Sequence, residues 1–163
     1  MDVFVGSEKK LETMTFGKPY IHITIRSRLL PGWVQEPIRL LPDPNRVAVL
    51  YMVFDDCEAK DRFIGKPLLK KEARLIWDFF EKYQERVELL VVNCEAGLSR
   101  SPGVAAAIFT AMGEAGKAGL DYTYRKPFQQ NVYVKKVLLA THPTNPQEIA
   151  FQKRKARLKT KTP

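Results

Sequence analysis

Apolar residues follow two rhythms along this chain, alternation and helical spacing, and the two take turns. Residues 2–5 form a short strand candidate, and residues 7–14 a helix candidate with Ser7 as its N-cap. The segment Tyr20–Arg26 alternates: Ile21, Ile23 and Ile25 lie on one side and Tyr20, His22 and Thr24 on the other, a strand pattern. Pro31, Pro37, Pro42 and Pro44 then punctuate a long loop that contains Trp33. Residues 47–54 are an unbroken apolar run, which predicts a strand buried on both faces. Over residues 70–84, Ala73, Ile76, Trp77, Phe80 and Tyr83 recur at helical spacing. Residues 87–93 predict another buried strand, 101–115 a helix rich in small residues, and 129–140 a final helix. Strands that alternate with helices predict an α/β fold, a central and mainly parallel sheet flanked by helices on both faces.

Composition narrows this picture. The chain has 163 residues, enough for one domain with a sizeable core, and its 45% apolar and 28% charged content excludes wholesale disorder. No run approaches the roughly 18 apolar residues of a membrane span. The opening MDVFVGSEKK has no basic region followed by an apolar stretch, so no secretory signal is expected. Two cysteines are too few for a disulfide framework and suit a reducing, cytoplasmic setting. The net charge of +9 points to an anionic partner: nucleic acid, a phosphorylated molecule or a membrane surface. Two thirds of that charge lies in the last stretch, KRKARLKTKTP, with six basic residues and no acid. The expected organisation is one domain over residues 1–150 and a basic, disordered tail over 151–163. Such a tail solubilises the protein or serves as an arm for nucleic acid or an anionic surface.

The segment that carries chemistry is VVNCEAGLSRSPGVAAA, residues 91–107. A strand runs into Cys94, a short loop follows, and Arg100 opens a helix. A loop that ends at a helix N-terminus turns backbone N–H groups toward an anion, and the helix dipole favours negative charge there. Gly97 permits a backbone conformation that a side chain would hinder. Arg100 can offer a two-pronged fork to phosphate oxygens. Pro102 fits the first helical turn, where its missing N–H costs little. The same positive surroundings favour a thiolate nucleophile at Cys94. Ser101 is placed to hydrogen-bond that sulfur.

The run NCEAGLSRS resembles the HCxxGxxRS signature loop of cysteine-dependent protein tyrosine and dual-specificity phosphatases. The FDD of residues 54–56, the helix over 70–84, the strand ELLVV and the segment NVYVKKVL extend the resemblance to the compact bacterial and phage members, over most of residues 1–140. It implies phosphate monoester hydrolysis through a cysteinyl-phosphate, with no cofactor and no metal. Carried onto this chain, Cys94 is the nucleophile and Arg100 the phosphate clamp. The backbone amides of Glu95, Ala96, Gly97, Leu98, Ser99 and Arg100 form the cradle, and Ser101 assists breakdown of the intermediate. The general acid follows the strand 47–54: the family pattern Phe-x-Asp selects Asp56, with Asp55 the alternative. The family's His before the nucleophile is Asn93 here, which can still donate and accept hydrogen bonds. The partner is a phosphorylated protein or another phosphate monoester. An RNA 5′-phosphatase using the same loop and a noncatalytic phosphoprotein-binding module are the alternatives.

Several other residues have competing readings. Asn131 either ties the last helix to the signature loop or serves as an ordinary polar residue at a helix start. Cys57 either forms a reversible disulfide with Cys94 or has no role. The side chains of Glu95 and Leu98 are expected to face substrate or solvent. His22 reads as structural and His142 as a surface loop residue, and neither has metal-site spacing. Trp33, Trp77, Phe79 and Phe80 read as packing residues.

Overall fold

The computed structural model describes residues 1–28, 40–57, 65–113 and 130–159, with side chains through Lys153. The Trp33 part of the long loop lies outside them. Four strands, β1 (Asp2–Ser7), β2 (Tyr20–Arg26), β3 (Arg46–Val53) and β4 (Leu89–Cys94), form one sheet in the order β1-β4-β2-β3. Every neighbouring pair is parallel. The carboxyl ends of all four strands therefore meet at one edge, where α/β folds place their ligand sites.

The helices are α1 (Glu8–Leu11), α2 (Lys70–Tyr83), α3 (Arg100–Ala111), α4 (Val132–Thr141) and α5 (Pro146–Lys159). The expected α/β architecture is present. One sheet face carries Val5, Ile21, Ile23, Ile25, Leu90 and Val92, packed with Ile76, Trp77, Phe80, Val104, Ile108, Val134 and Leu138 from α2, α3 and α4. The register sets Ile21 beside Leu90, Ile23 beside Val92 and Ile25 beside Cys94. The Trp77 indole donates to the Leu138 carbonyl at 2.9 Å, which joins α2 to α4 and satisfies a buried N–H. On the opposite face, Tyr20, Leu89 and Val91 pack with Leu11 of α1, Phe4, Met14 and Phe16. Ser7 caps α1 as expected, its side chain accepting from the Lys10 amide at 3.2 Å.

Helix α3 lies deep in the molecule: Arg100 through Phe109 are all buried. Its small residues explain how. A Cβ on Gly103 would stand 2.8 Å from the Asn131 carbonyl oxygen, so only glycine lets α3 touch the start of α4 there.

One expectation is corrected. The apolar run 47–54 is not a strand buried on both faces. Among the described residues β3 is an edge strand, and Val47, Tyr51 and Val53 are 39%, 62% and 45% exposed. An apolar run states what a strand is made of, not which neighbours cover it. Helix α5 runs through the boundary placed at 150 and continues to Lys159. Pro146 suits a first helical position, and the Asn145 side chain accepts from the Gln147 amide at 3.0 Å. Glu148 then receives Arg74 of α2 through Nε at 2.6 Å and Nη2 at 2.9 Å, and the Arg74 guanidinium lies 4.7 Å from the Phe151 ring centre. Among the described residues no helix is long and apolar enough to cross a membrane.

Candidate active site

At the carboxyl edge, β4 ends in Cys94 and the loop Glu95 to Ser99 leads into α3. Gly97 carries this turn at φ 72°, in the left-handed region. A Cβ there would lie 2.4 Å from the Gly6 carbonyl carbon and 2.5 Å from the Ser7 nitrogen, so the loop folds directly onto the end of β1. The Glu8 amide donates to the Glu95 carbonyl at 3.3 Å, and the Ser99 carbonyl accepts from the amides of Gly103 and Asn131, each at 3.0 Å. The loop is thus pinned to β1, α3 and α4. The first N–H groups of α3 have no intrahelical acceptors and lie at the loop's end.

The sulfur of Cys94 is buried, 3.2 Å from the Ser101 hydroxyl oxygen. Arg100 is 5% exposed. Its Nη1 donates to the Ser27 hydroxyl at 3.0 Å and the Phe54 carbonyl at 2.9 Å, and its Nη2 donates to Glu95 Oε2 at 2.7 Å. Its Nε is buried with no partner among the described residues. A buried cationic N–H without an acceptor is costly, and an anion seated in the loop would relieve that cost.

The two aspartates after β3 have different surroundings. Asp55 is half-buried, and each of its oxygens accepts a backbone amide, Arg28 at 2.8 Å and Lys66 at 2.6 Å. Asp56 is exposed, and its Oδ1 accepts from the Ser99 hydroxyl at 2.8 Å and the Asn131 side-chain amide at 2.6 Å. Asn131 also caps α4, its Oδ1 accepting from the Val134 amide at 2.9 Å. It therefore starts the helix, while its backbone amide reaches the Ser99 carbonyl and its side-chain amide reaches Asp56.

On the other face of β4, Asn93 is fully buried and its Oδ1 accepts from His22 Nε2 at 2.7 Å. Burial holds the His22 imidazole down at about pH 4, with the Asn93 hydrogen bond opposing and Arg46 assisting. The ring is neutral at ordinary pH, as suits a structural histidine. His142 is not simply a surface residue, since its ring sits edge-on to Trp77 with centroids 4.5 Å apart. Cys57 and Cys94 are not joined to each other in a disulfide, and Cys57 lies against Gly65.

Two contributions escape sequence reading. The Glu95 side chain is exposed to solvent, as expected, but it is also tied to its neighbours. It binds Arg100, and it accepts from the Ser27 amide at 3.1 Å and the Ser27 hydroxyl at 3.0 Å. Burial pushes this carboxyl upward, but the Ser27 amide and Arg100 outweigh it and hold Glu95 below the usual carboxylate range. Ser27 is the other missed residue. No motif marks it, and only the parallel pairing of β2 with β4 brings it to the loop. Leu98 is exposed, as expected. Among the described residues no three His, Cys, Asp or Glu side chains gather as a metal site would require. A cleft of about 550 Å³ between α2 and α5 shares no residue with the loop.

No family model matches the sequence, and no curated protein matches it. Among solved structures, the crystal structure of Tk-PTP in the active form is similar, with a TM-score of 0.50 and 16% identity over 85% of this chain and 92% of that one. The likeness extends over most of both chains and shows that this chain shares the fold of that structure.

Proposed function

We propose that the protein hydrolyses phosphate monoesters through a cysteinyl-phosphate intermediate. The observation that carries this reading is Arg100, a buried guanidinium held on three bonds with its Nε unpartnered, one loop away from the buried sulfur of Cys94. Nε and the remaining N–H of Nη2 supply the fork for two phosphate oxygens. The α3 N-terminus adds a favourable field for the same anion. The Cys94 thiolate attacks phosphorus, the S–P bond forms, and the bond to the ester oxygen breaks. Asp56 gives its proton to that leaving oxygen. In the second half, Asp56 takes a proton from water, the water oxygen attacks phosphorus, and the S–P bond breaks to return the thiolate. The Ser101 hydroxyl, 3.2 Å from the sulfur, hydrogen-bonds the departing thiolate.

The choice of Asp56 over Asp55 rests on hydrogen bonds. Both oxygens of Asp55 are committed to backbone amides, which makes it a brace for the turn. Asp56 is exposed and is held toward the loop from one oxygen only by Ser99 and Asn131, which suits a group that exchanges protons with substrate and water.

The test is hydrolysis of an aryl phosphate, in chelator, by the wild type and Cys94→Ser. Vanadate-sensitive turnover in the wild type and none in the variant is expected. Absence of turnover above the variant overturns the enzyme reading, and phosphate binding retained in that case would favour a noncatalytic phosphate-binding module.

A further inference from the structure

Building on the phosphatase reading, we propose that Glu95 is a positioning residue, which with Ser27 fixes the orientation of Arg100 for the phosphate. Three bonds close a ring: Arg100 Nη1 donates to the Ser27 hydroxyl at 3.0 Å, that hydroxyl donates to Glu95 Oε2 at 3.0 Å, and Arg100 Nη2 donates to the same oxygen at 2.7 Å. The Ser27 amide closes on the other carboxylate oxygen at 3.1 Å. One carboxylate thus joins the first residue of the loop, the residue that ends it and the segment leaving β2.

The ring consumes particular donors. Both N–H groups of Nη1 are used, by Ser27 and by the Phe54 carbonyl, and one of Nη2 is used by Glu95. What remains is Nε, buried and unpartnered, and one N–H of Nη2. A free arginine side chain has many rotamers, and the ring removes that freedom before substrate arrives. The ring is asymmetric in exposure: the Arg100 side chain is 6% exposed and that of Glu95 44%. Glu95 therefore holds the guanidinium from its solvent side.

A carboxylate this close has a second effect, of opposite sign. Its negative charge repels a phosphate dianion, so removing it strengthens anion binding if charge alone matters. The two roles predict changes in opposite directions, which makes the experiment decisive. Vanadate affinity and kcat/KM on an aryl phosphate are measured for the wild type, Glu95→Ala, Glu95→Gln and Ser27→Ala, with thermal unfolding recorded for each. Positioning predicts that Glu95→Ala weakens vanadate binding and lowers kcat/KM in parallel, by about tenfold or more. Glu95→Gln, whose amide oxygen still accepts from Nη2 and Ser27, recovers to within about threefold of the wild type. Ser27→Ala falls in the same direction by a smaller factor, and it carries the test alone if Glu95→Ala does not fold. Vanadate binding and turnover equal to or above the wild type in Glu95→Ala, or in Ser27→Ala when it stands alone, overturn the positioning role and leave the phosphatase reading intact. A wild type that neither turns over nor binds vanadate overturns the phosphatase reading, and the positioning role with it.

Discussion

Asp55 and Asp56 are chemically identical neighbours with different hydrogen-bond partners, and the proposed mechanism assigns them different roles, a brace and a proton donor. Asp56→Asn is expected to lower kcat on alkyl phosphates by about 10²–10⁴, with a much smaller loss on aryl phosphates whose leaving oxygen needs little protonation. Its thermal midpoint stays near the wild-type value, because Asn keeps an oxygen for Ser99 and Asn131. Asp55→Asn does the reverse, since it weakens the bonds to Arg28 and Lys66 that hold the turn. Paired kinetics and unfolding curves check both halves, and a larger kinetic loss at Asp55 would exchange the two roles. At this scale the motif singled out Cys94, Arg100 and Ser101 as neighbours, because their spacing confines them to one short loop between β4 and α3. Ser27 was not legible: it reaches Glu95 only through the register that sets Ile25 beside Cys94. His22 and Asn93 meet for the same reason, on the other face of the same strand pair.

At the scale of elements, alternation in Tyr20–Arg26 and the helical spacing over 70–84 were sufficient to name a strand and a helix, although β2 is buried on both faces, His22 and Thr24 included. The run 47–54 misled because both edge and central strands are built from the same residues, and only the sheet order β1-β4-β2-β3 leaves β3 at the rim. Residues 153–159 carry the charge of a tail, yet Ala, Lys, Arg and Leu are good helix formers, and Glu148 anchors the helix they extend to Arg74. Arg74→Ala removes that anchor and leaves Glu148, a residue 6% exposed, without its partner. A loss of about 1–2 kcal/mol in unfolding free energy is expected, with faster amide exchange concentrated in α5. Aryl phosphate turnover is expected to persist, because Arg74 lies on the far cleft and not at the loop.

For the whole molecule, six of the nine net charges come from residues 153–163, and the other three are the balance of the rest of the chain. The sheet converts a loop of a few residues into a site by bringing four carboxyl ends to one edge. The same sheet buries His22, and this gives stability a pH dependence. An unfolded histidine titrates at about 6.5, whereas His22 in the fold is held down at about 4 by burial. Between these values the unfolded chain binds a proton that the folded chain refuses, so stability falls as pH drops from about 6.5 to about 4. The depression corresponds to about 3 kcal/mol, fully lost below the folded value. Denaturant unfolding across that range should show this slope in the wild type, and His22→Gln should flatten it over the upper part of the range, where carboxylates contribute little.

The measurement closest to the chemistry is mass analysis of the peptide carrying Cys94 after a reaction with aryl phosphate is quenched in acid. The proposed mechanism requires one phosphoryl group on that peptide in the wild type and none in Cys94→Ser. Turnover in the wild type with no phosphoryl adduct on that peptide, or turnover retained in Cys94→Ser, would contradict it.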